Sequence, residues 1–244
     1  MPLRIKAFLL HFSCSVLIAL LALLLVFKLW YPAPLHEALG VTHIFLLLLM
    51  VDVLLGPLLT LVVFKAGKPS LKFDLTVIFL LQISALSYGL WTVAAGRPAW
   101  LVFNVDRFDV IQAVDVDIRG LDQADERYRT ASWVGPEWVG AIRPPDQKQR
   151  ETIMFEAVTW GMDVAQRPEF YRSLVQVADD ISARAQPLSN LNKFNDAALV
   201  NKTLTTWPTA TSWVPLKARV KPMVVLLGKN RNEVLAIVDL KPWE

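Results

Sequence analysis

THIFLLLLMVDVLLGPLLTLVVF, residues 42–64, is apolar over a length that spans about 30 Å of hydrocarbon as a helix, yet its interior holds an acid, Asp52, and the helix-disturbing pair Gly56-Pro57. Two stretches of the same kind flank it: AFLLHFSCSVLIALLALLLVFKL (7–29) and LTVIFLLQISALSYGLWTVAA (75–95). Together they predict a three-helix transmembrane domain over 1–96. The lower apolar density that follows predicts a soluble α+β domain over 97–244, so the mean hydropathy of +0.40 averages two regimes. A cleaved signal peptide needs a short apolar core and an A-x-A-like site. The first run is long and closes on Lys28, Trp30 and Tyr31, so it reads as a retained helix.

Six of the 25 Lys/Arg and three of the 22 Asp/Glu lie in residues 1–96. The later part is therefore balanced, and the formal net charge of +3 belongs to the membrane part. Without a basic stripe to release counterions, the soluble half is not expected to bind nucleic acid. Arg4 and Lys6 precede the first helix and Lys65, Lys68 and Lys72 crowd the second loop, whereas the first loop, YPAPLHEALGV, has no Lys or Arg. Positive charge stays inside, which predicts a cytoplasmic amino terminus and, in a bacterial inner membrane, a periplasmic carboxy-terminal domain. Trp30, Tyr31, Trp91 and Trp100 fall at the outer boundary of this topology, where amphipathic rings settle.

In the soluble half, WLVFNVDRFDVIQAVDVDI predicts two strands joined near Asp106-Arg107, and 119–147 reads as loop with at most one short element. Two helices are expected next. Met154, Phe155, Val158, Met162 and Ala165 share a face of the first; Phe170, Leu174, Val177 and Ile181 share a face of the second, with Pro168 at its first turn. A weaker helix follows Ser189, and strands near 219–227 and 234–240 form a closing hairpin. The segments SWVGPEW, TTWPT and SWVPL place tryptophans in loops, as core or as contact residues.

Asp52 is the sharpest chemical signal, because a carboxylate near the bilayer centre costs at least about 2.5 kcal/mol and favours a partner. Counting inward from the outer boundary puts it level with Ala19 and Leu86, within reach of Ser84, Ser87 and Tyr88. Two readings stand: Asp52 is satisfied inside its own bundle, or it meets a polar group on another protein's membrane helix. One acid in three helices is a poor proton relay. Pro57 removes a backbone donor and Gly56 allows close helix approach, so both join the candidate contact set. His11 and His43 lie near opposite ends of their helices and read as interfacial hydrogen-bonding residues.

Residues 97–244 contain no His and no Cys, which excludes Ser-His-Asp and Cys-His catalysis there and the usual zinc ligand sets. Asp115 and Asp117, two apart in an expected strand, suit a solvated face better than a calcium site with Asp106 or Asp109. With no glycine-rich phosphate loop either, no cofactor and no catalytic residue is expected.

RIKAFLLHF, LWYPAPL, VDVLLGPLLTLVVF, YGLWTV, VFNVDRF, VPLKAR and VLAIVDLKPW, in this order and spacing, resemble the TfpX/TfpZ family of type IV pilin accessory proteins. The similarity covers the membrane half and both ends of the soluble half; residues 119–210 carry none of it. It implies an inner-membrane protein without known enzymatic activity that assists the stability or assembly of a pilin subunit. Before assembly such a subunit is itself anchored by an apolar amino-terminal helix, with its head in the periplasm. The expected partners are therefore the lipid bilayer and a type IV pilin, held through Asp52, Gly56, Pro57, Ser84, Ser87 and Tyr88. The rival readings are a membrane-anchored ligand sensor, disfavoured by the short inner segments, and a pilin-modifying enzyme, disfavoured by the scattered carboxylates.

Overall fold

The computed structural model describes residues 1–230 and 233–244. Helix α1 (Leu3–Leu24) continues through a wider π turn, Leu25–Trp30, and is followed by the short α2 (Leu35–Ala38) and by α3 (Val41–Val63) and α4 (Leu71–Ala95). The spans Leu3–Trp30, Val41–Val63 and Leu71–Ala95 are long and apolar enough to cross a membrane, as the hydropathy pattern predicts. Their outward faces are almost wholly apolar, and the residues they bury against one another include the small Ser15, Ala19, Ala22, Gly56 and Gly89, which is how helices pack when lipid competes for the same surface. Helix α3 packs against both neighbours. Gly89 of α4 receives Leu48 of α3, whose side chain lies where a Cβ would stand. Arg4 at the start of α1 donates to the carbonyl of Leu61, one of the orphan acceptors in the last turn of α3.

An eight-stranded sheet follows, with β1 (Pro98–Asn104), β2 (Arg107–Gln112), β3 (Glu137–Ala141), β4 (Tyr171–Arg172), β5 (Gln186–Pro187), β6 (Ser212–Lys217), β7 (Met223–Leu227) and β8 (Val234–Val238). The order is β4-β3-β1-β2-β6-β7-β8, with β5 paired to β6. Both hairpins foreseen in the sequence form, as β1–β2 and β7–β8. Strand β6 was not foreseen: SWVPL is not a loop but a central strand whose Trp213 is fully buried. Trp138 likewise lies in β3, which runs parallel to β1 inside the supposed loop region.

Side chains alternate across this sheet with period two. Leu101 and Phe103 of β1, Val214 and Leu216 of β6, and Met223, Val225 and Leu227 of β7 enter one core. Val102 faces a second core with Tyr128 and Tyr171, and Val224 and Leu226 face a third with Trp213 and Val200. Both faces are covered, so strands such as MVVLL read as unbroken apolar runs. The first of these cores also takes Leu35 and Ala38 from α2, the connection between two membrane helices. The backbone amides of Val220 and Lys221 both donate to the Ala38 carbonyl, at 3.0 and 3.1 Å. Gly40, at φ +71°, turns the chain back into α3 with Val220 against its bare Cα.

The two central helices foreseen in the sequence differ from expectation. Helix α5 (Gln147–Trp160) stops at Gly161, whose φ of +72° closes it, so Met162 and Ala165 are not on it. The stretch from Pro168 is mostly not helical: a 3-10 turn, the β4 pairing to β3 and a second 3-10 turn capped by Ser173 and Gln176 precede α6 (Ala178–Arg184). Tertiary pairing of Tyr171 with Ala141 overrode the helical spacing. The weaker helix forms as a 3-10 stretch and then α7 (Ala197–Thr206), capped by Asp196. Asp115 and Asp117 are not in a strand: residues 113–115 form a 3-10 turn.

Candidate functional site

Four polar side chains, Ser15, Gln82, His11 and Thr60, meet where the membrane helices come together. The Gln82 side-chain amide donates to the backbone carbonyl of Asp52 at 2.9 Å and to the Ser15 hydroxyl at 3.0 Å. Its carbonyl oxygen lies 2.9 Å from Nε2 of His11, and Nδ1 of His11 lies 2.7 Å from the Thr60 hydroxyl. The donors sort themselves: a Gln carbonyl only accepts, so Nε2–H of His11 donates to it and Nδ1 accepts from Thr60. A continuous chain of hydrogen bonds thus runs from Ser15 through Gln82 and His11 to Thr60 and ties all three helices. The Asp52 carboxyl is half-buried beside Gln82 and His11.

Gly56 is part of this arrangement. A Cβ there would stand 1.8 Å from Oε1 of Gln82, so the close approach that Gly56 permits is used within the chain. Pro57 is also buried, and α3 runs unbroken through it. Ser84, Ser87 and Tyr88 point away from Asp52 on the exposed face of α4, where Tyr88 is 74 % exposed. Depth counting missed by one turn: Asp52 is level with Ser15 and Gln82, not with Ala19 and Leu86. The helices do not end at one level, because α1 and α4 continue farther toward the sheet than α3 does. The helices extend beyond the apolar runs, and the centres of the spans Leu3–Trp30, Val41–Val63 and Leu71–Ala95 bring Asp52 level with Gln82, the one amide side chain in the third run. His11 bonds inside the bundle rather than at the interface, while His43 is exposed at the start of α3.

The second feature lies in the sheet domain. Arg119 grips Asp117 through Nε and Nη2, at 2.9 and 2.7 Å, and Glu156 of α5 through Nη1 and Nη2, at 3.0 and 2.7 Å. Arg167, buried behind them, bonds Glu156 and lies 3.6 Å from Asp117. Hydrogen bonds from Arg119 hold both carboxyls below their ordinary range. Asp117 is thus spent on arginines, Asp109 is taken by Arg107 and Asn104, and no acid cluster suited to a metal ion forms among the described residues.

This clamp decides which way α5 faces. Its inward face is Ile153 and Glu156, and Met154, Phe155 and Val158, which the spacing places on one face, are turned to solvent, Val158 at 85 % exposure. Beside that face runs an open groove of about 1300 Å³ between α5, the β1–β2 turn, the end of β3 and α6. Met154, Ala157 and Val158 line it with Phe103 and Val105, and Arg143, Arg150 and Arg184 stand on its rim. Val105 adopts φ +62°, a left-handed conformation costly for a β-branched side chain, and strain of this kind collects at functional surfaces.

A bundle of three apolar helices carrying an α+β domain, with an internal polar chain and an unburied groove, defines a membrane-associated protein. A family model described as fimbrial assembly protein FimB matches residues 1–40. Among curated proteins, the chain is 30 % identical over 181 residues to the fimbrial assembly protein of Dichelobacter nodosus serogroup I, covering 73 % of this chain and 70 % of that one. The serogroup E1 protein is 27 % identical over 236 residues, 93 % and 91 % of the two chains; the protein of serogroups C1 and C2 is 33 % identical over 116 residues, 47 % and 88 %. The chain belongs to the fimbrial assembly protein family and acts in fimbrial assembly. No solved structure matches it.

Proposed function

We propose that the protein is a non-enzymatic, chaperone-like accessory factor that holds a type IV pilin subunit in the inner membrane before the fimbria grows. The pilin's apolar helix lies against the exposed face of α4, where Ser84, Ser87 and Tyr88 offer hydroxyls to lipid depth. Asp52 borders that bundle, and Gly56 and Pro57 serve the contact indirectly, by seating Gln82 and so fixing how α3 and α4 lie together. The pilin's head, on the periplasmic side, meets the groove beside α5.

The observation that carries this reading is the pair of unspent surfaces on one chain: a hydroxyl-bearing stripe on α4 and an apolar helix face turned to water on α5. Because α2 is buried in the sheet's core, the two surfaces are held at a set separation. Binding at one then raises the effective concentration of pilin at the other, so two weak contacts suffice.

Photo-crosslinkers placed at Tyr88 and at Val158 in cells making a type IV pilin test this directly. Pilin adducts at both positions are expected. Their absence at normal protein abundance overturns the two-contact reading. In an Asp52→Leu strain, lower pilin levels and fewer surface fimbriae are expected; unchanged levels remove Asp52 from the mechanism.

A further inference from the structure

The loop that joins the 3-10 turn at Glu126–Tyr128 to β3 touches the ends of two membrane helices. The Arg97 guanidinium fastens it from the end of α4, donating from Nε to the Ser132 carbonyl at 3.1 Å, from Nη2 to the Ala131 carbonyl at 3.4 Å and from Nη1 to the Ala94 carbonyl at 2.9 Å. From the other side Trp30, the last residue of the first span, packs its ring against Trp133 with centroids 6.2 Å apart. Gly135 reaches still lower, its Cβ position 3.9 Å from the carbonyl oxygen of Leu29, which is inside that span.

The loop is thus level with the last turn of a membrane helix, and its two large apolar side chains, Trp133 and Val134, are both exposed. Beyond the contacts of one Trp133 face with Trp30 and Arg97, neither side chain joins a buried core among the described residues. Water does not favour them either, but the boundary of a bilayer does, because an indole spans the polar and apolar sides of the headgroup region. The charges agree. Arg97 lies 3.9 Å from the centre of the Trp133 ring and has no carboxylate partner among the described residues, and Lys28 is exposed on the same turn of the first span. Arg97 is itself buried and holds the loop in place, while the exposed Lys28 stands where anionic phosphates of a headgroup layer lie.

We propose that the segment Ser132–Val134 of the sheet domain is a membrane-contact loop, with the Trp133 indole and the Val134 side chain seated in the headgroup layer of a phospholipid bilayer. The domain is then not held above the membrane by its helices alone. A third point of contact, beside the ends of α1 and α4, fixes its tilt and so fixes the direction in which the α5 groove faces.

The test uses the full chain with Cys14→Ala, reconstituted in phosphatidylethanolamine vesicles containing phosphatidylglycerol. An environment-sensitive nitrobenzoxadiazole label is attached at Val134→Cys or, as the water-facing reference, at Val158→Cys. Both positions are highly exposed, so each labelled protein should elute in detergent as the unlabelled chain does. At 134 the expected result is a blue shift of emission, strong quenching by lipids bearing a nitroxide near the headgroup, and protection from iodide. At 158 the expected result is iodide quenching and no lipid quenching. A label at 134 that iodide reaches as readily as at 158, with no lipid quenching, overturns the proposal.

Discussion

At the scale of single residues, the acid that stands out in the sequence is less informative than the amide that does not. Asp52 borders the polar chain through its backbone, whereas Gln82 makes three of the contacts that tie the helices. Gly56 exists for Gln82. A Gly56→Ala change should therefore cost about 1–3 kcal/mol through overpacking. Adding Gln82→Ala should return much of it, since the clash and its cause are then removed together. Thermal unfolding in detergent of the two single variants and the double reads this coupling, and additive losses would show that Gly56 and Gln82 act apart. Val105 makes the opposite case, because its left-handed backbone suits Asn better than a β-branched residue. Val105→Asn is expected to raise stability by about 1 kcal/mol. The same change alters the groove wall, so the proposed function adds a loss of crosslinking at Val158.

At the scale of elements, α5 shows how an amphipathic pattern can be read correctly and still leave the orientation of the helix open. Met154, Phe155 and Val158 do share a face, as their spacing requires, but spacing does not say which face is inward. Glu156 decides it, because its bonds to Arg119 and Arg167 pull the other side of the helix down. A helix docked this way depends on pH. Asp117 and Glu156 have carboxyls held below their unfolded range, so their contribution is complete above about pH 5 and is lost as pH falls through the depressed folded values. Stability should fall on acidification in that window, and an Arg119→Met variant should start lower and lose less. Melting temperature against pH for the two proteins checks the sign; equal slopes would show that the clamp does not hold α5.

For the whole molecule, the decisive fact is that the sheet's core is not made by residues 97–244 alone. Leu35 and Ala38 are buried in it, Val220 covers Gly40, and Lys221 bridges Asp239 and Glu37, at 2.5 and 3.7 Å. Leu35→Ala should thus cost about 2–5 kcal/mol and act on the sheet, not only on the bundle. Hydrogen exchange in β1, β6 and β7 is the readout, and it should quicken. Unchanged protection there would mean that α2 is only a connector. A fragment beginning at residue 97 should be unstable for the same reason, and fusing residues 31–40 to it should help.

Hydropathy and charge by themselves determined the three spans, the sheet domain after them and the hairpins β1–β2 and β7–β8, because each rests on local periodicity or on turn residues close together in the chain. The resemblance carried by RIKAFLLHF, LWYPAPL and the later motifs pointed to the fimbrial class before any geometry was known. Only the tertiary structure decided that Gln82 and not Ser84 meets Asp52, that SWVPL is a central strand, and that α5 turns its apolar face outward. Those outcomes depend on which residues distant in the chain come to share a surface: helices that end at different depths, a parallel pairing of β1 with β3, and an arginine 37 positions from the glutamate it holds. No window of neighbouring residues contains that information.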